Sequence, residues 1–369
     1  MAANHLPPEV CELIIDKLSG DLQALRTCSL LGRKWLPRSR YWLFRRRINV
    51  TSSIKKRQLE DLIMKNPQTF GQYIVFLRIE CRKHSDLDLP ALAQMPYLEE
   101  LDLCGAHWRD EAIFRQSAQH LRTLRLVDCQ PTWDGLCRGL ENIPQLEELI
   151  VLEGKPLFMT DISEPLRHDA LPHLHTLVLD HADTPMIPHI ASALFSHRGT
   201  AGLRVLNVGS ATPAPARNSI WWWFDDAAPT LQYLGFTVKY RLTAADLHLE
   251  RCTCLYQLDL CVSEIATAQE VLAHIAAPRL MEVRFATQVI SPRPHWTALA
   301  TVLSMPVFGA LKHVEIRLDL RMQPDPSADL ADVIRRSLLE IEKHWTLKIT
   351  FGVCNHLQTM PRIRKRKQQ

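Results

Sequence analysis

The residues best suited to chemistry in this chain are His248, Cys252, Cys254 and Cys261, an imidazole and thiol set of the kind that holds zinc. Their spacing, H-x3-C-x-C-x6-C, is not that of a structural zinc site. Cys254 and Cys261 also bracket an expected strand, so they read as separate core and surface thiols. Other chemical signatures are missing. Only 13 of 369 residues are glycine, and neither G-x-x-x-x-G-K-[ST] nor G-x-G-x-x-G occurs, so no phosphate-cradling loop is expected. There is no G-x-S-x-G elbow and no H-E-x-x-H helix. The 16 histidines form no ligand-spaced cluster. A nucleophilic cysteine requires a tuned thiolate, and the scatter of ten cysteines singles out none. No catalytic residue, metal or cofactor is expected. The chain reads as one that binds.

Two stretches have residues suited to contact. Trp221, Trp222, Trp223 and Phe224 cover about 300° of a helical wheel, or both faces of a strand. They cannot all enter one core, and either pack between structural repeats or anchor a partner. Near the C-terminus, Arg362, Arg364, Lys365, Arg366 and Lys367 form a basic run. It reads as a nuclear address, a nucleic-acid contact or a solvated end.

Composition narrows the class of protein that must position these residues. A hydrophobic content of 46% over 369 residues supports a large core and more than one domain. The opening MAANHLPPEV has no basic segment leading into an apolar one, so no secretory signal is expected. No run of eighteen apolar residues occurs, and no membrane-spanning helix is expected. Scattered cysteines fit free thiols in a reducing compartment, the cytoplasm or nucleus. Net charge is +4; residues 1–50 contribute +5 (nine basic, four acidic) and the last eight +5, leaving 4 − 10 = −6 for the body. A mildly acidic body with basic ends is not the basic face of a nucleic-acid binder.

The first segment, 6–47, predicts three short helices. Pro8 suits the first position of a helix, and Gly20 suits its end. Val10, Leu13, Ile14 and Leu18 span about 140° and predict the packed face, while Cys11 and Ile15 widen the apolar arc to about 200°. Glu12 and Asp16 are left on the opposite side. One core cannot use so wide an arc, so part of it is expected to face a partner. Asp21 can cap a second helix carrying Leu22, Leu25, Cys28 and Leu31. Pro37 precedes a last helical stretch with Tyr41, Leu43 and Phe44. About 40 residues lie at the lower limit for independent folding, and the surplus apolar surface points to a docking module.

This segment resembles an F-box, the helical module by which receptors attach to the Skp adaptor of cullin–RING ubiquitin ligases. The matching residues are Leu6-Pro7 with Glu9, then Ile14, Leu18, Leu25, Cys28, Leu31, Arg33 and Trp35. The continuation Leu36 to Tyr41 with Leu43-Phe44 is similar to a subgroup of fungal F-box proteins. Gly32 departs from the family, which often has Cys or Ser there; within a helix it would cost about 1 kcal/mol relative to Ala. The resemblance implies that Leu6, Pro7, Ile14, Leu18, Leu25, Leu31 and Trp35 meet the adaptor.

Beyond the junction Asn49–Ser53, Ser53 can cap a helix carrying Leu59, Leu62 and Ile63, which stops before Asn66-Pro67. One pattern, L-x-x-L-x-L with aliphatic or aromatic substitutes, then recurs ten times, starting at Ile74, Leu98, Leu121, Leu146, Leu174, Leu203, Leu231, Leu255, Leu280 and Leu311. The starts lie 23 to 31 residues apart, mostly within the period of about 20 to 29 that leucine-rich repeats show. Each L-x-L predicts a short strand whose alternate residues face opposite ways. Helical pieces are expected at 111–118, 188–195, 269–276 and 297–304, and no single strand–helix unit buries its own apolar side, so the units must stack. The resemblance to leucine-rich repeats is irregular: Cys129 alone matches the signature cysteine, with Ala106, Ala182, Ala211 or Ser263 in that place elsewhere. A last strand, Leu347–Phe351, follows the amphipathic run Leu330–Ile341.

The expected fold is therefore α/β: a three-helix F-box module at 1–48, a linker or helical cap at 49–72, a leucine-rich-repeat solenoid (horseshoe) at 73–355, and a basic tail at 356–369. Alternation places Glu100, Asp102, Arg125, Glu148, Tyr233, Asp259 and Arg284 on the outward, concave face as candidate target contacts or ordinary solvated side chains. The early columns look acidic and suit a basic guest, and Tyr233 offers an aromatic anchor. What the resemblance implies is the non-catalytic substrate-recognition subunit of an SCF-type ligase, partnered by a Skp adaptor, a cullin and a target protein. The alternative is a repeat scaffold that binds partners without a ligase. An α/β enzyme is disfavoured.

Overall fold

The computed structural model describes residues 6–66, 70–86, 90–108, 114, 118–153, 171–180, 202–209, 224–238, 248–287, 293–318, 328–338 and 346–351. The Trp221–Trp223 run, the basic tail, Ala182, Ala211, the helix expected at 188–195 and most of 111–118 lie outside these residues. The chain divides into two compact units, Met1–Leu149 with Lys155–His173, and Ile150–Gly154 with Leu174–Gln369.

In the first unit, Pro8 opens α1 (Pro8–Lys17), with Pro7 as its N-cap. Asp21 caps α2 (Leu22–Leu31), its Oδ1 accepting from the N–H groups of Gln23 and Ala24 at 2.9 and 3.0 Å. Gly32 ends α2 with φ 154° and ψ 172°, a conformation open to glycine and strained for other residues. The helical cost expected of Gly32 does not arise, because it sits past the helix as its cap. Helix α3 (Leu36–Phe44) carries Pro37 in its first turn.

These helices close on Cys11, Ile15, Leu25, Cys28 and Ser39, all buried. That corrects the expected packed face of α1, since Val10, Leu13 and Ile14 are exposed. Asp16, placed by the sequence on the solvated side, accepts from Nε and Nη2 of Arg38 at 2.6 and 2.8 Å and from Nε1 of Trp42 at 2.7 Å. Those two α3 side chains turn the Ile15–Asp16 edge of α1 inward and leave the Leu13 edge outside.

Strand β1 (Ile48–Val50) pairs in parallel with β2 (Phe76–Asp86), Ile48 opposite Leu77 and Val50 opposite Ile79. The boundary expected after residue 48 thus falls inside a strand. Helix α4 (Ser53–Lys65) is capped by Ser52, not by Ser53; the Ser52 hydroxyl accepts from the Lys55 N–H at 3.3 Å. A seam of rings and guanidinium groups fastens α3 to the start of β2. Tyr41 meets Tyr73 edge-on at 6.4 Å and Phe44 meets Phe70 at 5.3 Å. Arg40 lies over Phe70 at 4.8 Å and Arg47 over Phe76 at 4.0 Å.

Strands β3 (Glu100–Trp108) and β4 (Thr123–Val127) continue the parallel ladder, and β5 (Gln130–Pro131) pairs with the end of β3. Register aligns Leu77, Leu101 and Leu124 in one buried row and Ile79, Leu103 and Leu126 in the next. Ile74, Leu98 and Leu121, the first residues of their patterns, are buried as well. Ala106 and Cys129 fill small buried places, and the Cys129 thiol donates to the Leu103 carbonyl at 3.2 Å. Helix α5 (Trp133–Glu141), unforeseen from the sequence, starts at Thr132, whose hydroxyl accepts from the Gly135 N–H at 3.2 Å. Strand β6 (Glu148–Leu152) spans the division of the chain.

The second unit is a parallel ladder of β7 (Thr176–Asp180), β8 (Val205–Val208), β9 (Tyr233–Val238), β10 (Gln257–Val262), β11 (Glu282–Thr287), β12 (His313–Leu318) and β13 (Thr346–Phe351). Its rows Leu177–Leu206–Leu234–Leu258–Val283–Val314 and Leu179–Val208–Phe236–Leu260–Phe285–Ile316 are buried throughout. One turn recurs at each entry: the N–H groups of Tyr256 and Gln257 both donate to the Gln232 carbonyl, and those of Met281 and Glu282 to Tyr256. Helices α6 (Ile265–Ala273), α7 (Arg293–Leu303) and α8 (Ala328–Leu338) pack in succession. Each ladder is α/β with parallel strands, and a strand is present at every one of the ten expected patterns.

Candidate functional site

Two surfaces are candidates: the outer face of the helical module and the outward face of the strand ladders. In the module, α1, α2 and Leu6 just before α1 expose seven large apolar side chains, Leu6, Val10, Leu13, Ile14, Leu22, Leu30 and Leu31. Leu30 is 86% exposed, Leu13 63% and Leu31 62%. Five other large apolar side chains are comparably exposed among the described residues, and none of the five lies in these helices. The apolar face is therefore concentrated, and surfaces of that kind mark places where another molecule binds.

Of the residues that the sequence assigned to the adaptor, Leu6, Pro7, Ile14 and Leu31 are exposed, and Leu18 and Trp35 are half-buried. Leu25 is corrected: at 0% exposure it belongs to the module's own core and has no surface to offer. Sequence reasoning missed Leu22 and Leu30 and placed Val10 and Leu13 on the inner face. A usable signal was present in Cys11, Cys28 and Ser39, small side chains suited to the crossing points of short helices. The clamp that orients α1 is strong: hydrogen bonds from Arg38 and then Trp42 hold the Asp16 carboxyl down at about 2, from an ordinary 3.8.

On the first ladder, the outward column Asn49, Arg78, Asp102, Arg125 runs in register across β1 to β4. Arg78 Nε bonds Glu80 at 3.0 Å, and its Nη1 lies 3.4 Å from Asp102. Asp102 is buried, and the Cys104 thiol donates to it at 3.6 Å. Burial first, and then the Asp102 charge, push the Cys104 thiol up to about 12, the opposite of a reactive thiolate. The acidic patch expected here is accordingly smaller, because Asp102 already faces Arg78, a residue the sequence reading left out. Glu100 is exposed; Arg125 and Glu148 are half-buried.

On the second ladder, Asp259, Arg284, Glu315 and Lys348 align in one column of alternating charge. Arg284 lies 3.6 Å from Asp259, 3.6 Å from Glu315 and 2.7 Å from Glu282. Glu315 also meets Arg317 and Lys348, each at 3.1 Å. Burial pushes the Glu315 carboxyl up, but the Arg317 and Lys348 hydrogen bonds outweigh it and hold it below its ordinary value. Asp259 goes the other way: burial raises it despite Arg284, Gln257 and Tyr233. Three carboxylates meet three cations here, so the cluster is neutral as a whole.

Tyr233 is corrected too. It is 5% exposed, and its hydroxyl donates to Asp259 at 2.9 Å, so it is no open aromatic anchor. The side chain crosses Gly235, where a Cβ would stand 2.9 Å from the Tyr233 hydroxyl and 3.0 Å from Asn207. That glycine makes the reach to Asp259 possible. Chemically, both ladders offer hydrogen-bonding and charged surface for recognition.

Cys129 and Cys252 are raised to about 12 by burial. Among the described residues no group of three or more His, Cys, Asp or Glu side chains could hold a metal ion, which includes the His248–Cys261 set. No described helix is long and apolar enough to cross a membrane.

No protein-family model matches the chain, and no curated protein matches it. Solved structures do resemble it. A chain of the yeast Rad7–Elc1 complex is 14% identical, with a TM-score of 0.41 and 92% of each chain covered. The leucine-rich-repeat domain of APL1B is 13% identical, with a TM-score of 0.37, 95% of this chain and 100% of that one covered. Human 5T4 is 17% identical, with a TM-score of 0.36, covering 62% of this chain and 77% of its own. Likeness at this level says nothing of function.

Proposed function

We propose that this chain is the non-catalytic target-recognition subunit of an SCF-type cullin–RING ubiquitin ligase. The α1–α2 face docks on a Skp adaptor, which links it to the cullin, and the strand ladders hold the target protein. The reading rests on one observation above all: the N-terminal helices have a complete core of their own in Cys11, Ile15, Leu25 and Cys28, yet keep seven large apolar side chains in solvent. Together with the F-box resemblance of residues 6–47, this is the surface of a module built for a partner.

The contribution to ubiquitin transfer is then proximity. Holding a target beside the charged enzyme supplies effective concentration, with no acid, base or nucleophile from this chain. Target recognition falls to the outward side chains, the exposed Glu100 foremost, with the half-buried Arg125 and Glu148 contributing less. All nine described cysteines are free thiols, in keeping with a reducing compartment, cytoplasm or nucleus.

The test is capture of a purified Skp-family adaptor by the full chain. Replacing Leu6 and Pro7 together by Ala, or Leu13 by Asp, is expected to abolish capture without changing the circular dichroism melt. Undiminished capture by both folded variants would sink the docking assignment.

A further inference from the structure

Residues 1–50 hold nine cations, and the structure sorts them into two groups. Five belong to α3 and its end, and all five have partners within the chain. Arg38 is bound to Asp16, and Arg46 donates to the Ser19 carbonyl. Arg40, Arg45 and Arg47 lie over the rings of Phe70, Tyr41 and Phe76. The other four, Lys17, Arg26, Arg33 and Lys34, are exposed and have no carboxylate partner among the described residues.

Three of those four lie on α2 or just past its end, beside the exposed Leu22, Leu30 and Leu31 in the chain. Leu22, Arg26 and Leu30 recur at i, i+4 and i+8, so they form one line along the open face of α2. Leu31 adjoins that line, and Arg33 and Lys34 extend it past the Gly32 cap. Lys17 lies in the last turn of α1. Carbonyl groups at a helix C-terminus attract roughly half a charge, less than the two that Arg33 and Lys34 bring. Acidic side chains lie elsewhere: Glu9 and Glu12 are in the first half of α1, and Asp21 is taken up in capping α2.

We infer that the surface receiving α2 is an acidic protein surface, with carboxylates set around the apolar sites that take Leu22, Leu30 and Leu31. This rests on the docking reading above and adds the partner's charge to it. A protein fits better than an anionic membrane, because Glu9 and Glu12 flank Leu13 on the adjoining helix and would be repelled by a uniform negative sheet. A patterned partner can answer both signs. Four unpartnered cations also give the encounter a long-range attraction, so their effect falls on the association rate.

The experiment uses the intact chain against an immobilised Skp-family adaptor over a range of salt concentrations. The variant is Arg26→Glu with Lys34→Glu, both exposed, so the melt is expected to stay unchanged. At low salt the variant's association rate should fall about tenfold or more, with dissociation little altered, and the two proteins should converge at high salt. Equal association rates at every salt concentration overturn this inference and leave the docking reading standing. If wild-type chain fails to bind the adaptor at all, the docking reading falls and this one with it. A third arm offers phosphatidylserine vesicles; capture of wild type but not of the variant would assign the cations to a membrane and overturn the inference.

Discussion

The helical module and the strand ladders treat their side chains in opposite ways. In the module, leucines stand in solvent and four cations have no carboxylate partner among the described residues, although a compact core is already closed beneath them. In the ladders, the outward polar residues face one another: Arg78 between Glu80 and Asp102, and Arg284 among Asp259, Glu282 and Glu315. Exposed apolar groups and unpaired charges keep their interaction capacity for another molecule, whereas a paired column has used most of its own. The difference teaches that a polar residue on a binding-type face is not by itself a contact. What matters is whether its neighbours in register already satisfy it.

The strongest way to break this comparison is to truncate a leucine in each region. Leu258→Ala removes a fully buried ladder residue and is expected to cost about 2–5 kcal/mol. Leu30→Ala touches a side chain in solvent and should fall within about 0.5 kcal/mol of wild type. Urea denaturation reads both. A large cost at Leu30 would mean that the module's outer face is packed within the chain after all.

A smaller effect tests whether the ladder is satisfied from within. Tyr233→Phe deprives Asp259 of a donor at a site where burial already works against the carboxylate. The expected loss is about 1–3 kcal/mol in the same urea assay. Gly235→Ala should act in the same direction, since the new Cβ crowds the Tyr233 hydroxyl. Wild-type stability in both variants would show that the Tyr233–Asp259 contact contributes nothing to folding.

The smallest effect concerns pH, where the two regions differ in sign. The folded pKa of Asp16 is about 2, below its ordinary 3.8, so its clamp contributes fully above 3.8 and is lost as pH falls towards 2. Asp259 has a raised folded pKa, so the folded state binds its proton more tightly. Its ionisation therefore weighs against folding at neutral pH, and acid relieves that cost. Melting curves through the acid range should show Asp16→Asn losing part of the wild-type decline below 3.8, while Asp259→Asn should make the decline steeper. Parallel curves for all three proteins would show that neither carboxylate is coupled to folding.

Much of the fold was legible because it is local. Leu98, Leu101 and Leu103 lie within six residues; strand alternation sends Leu101 and Leu103 inward, and Leu98 is buried at the bend before the strand. The capping of α2 by Asp21 and the opening of α1 at Pro8 are local in the same sense. The candidate site was legible only in part. A helical wheel shows that the apolar arc of α1 is too wide for one core, but not which half is buried. That choice was made by Arg38 and Trp42, 22 and 26 residues away from the Asp16 they clamp. Tyr233 likewise meets Asp259 across 26 residues, and Arg78 meets Asp102 one repeat on. Repeat length varies from 23 to 31, so sequence distance alone cannot pair such residues. The sequence by itself determined the strand ladders and a module of three short helices before them; which of its leucines stayed in solvent, and which charges found partners among the described residues, was decided by contacts between helices and by strand register, the two things that only tertiary structure sets.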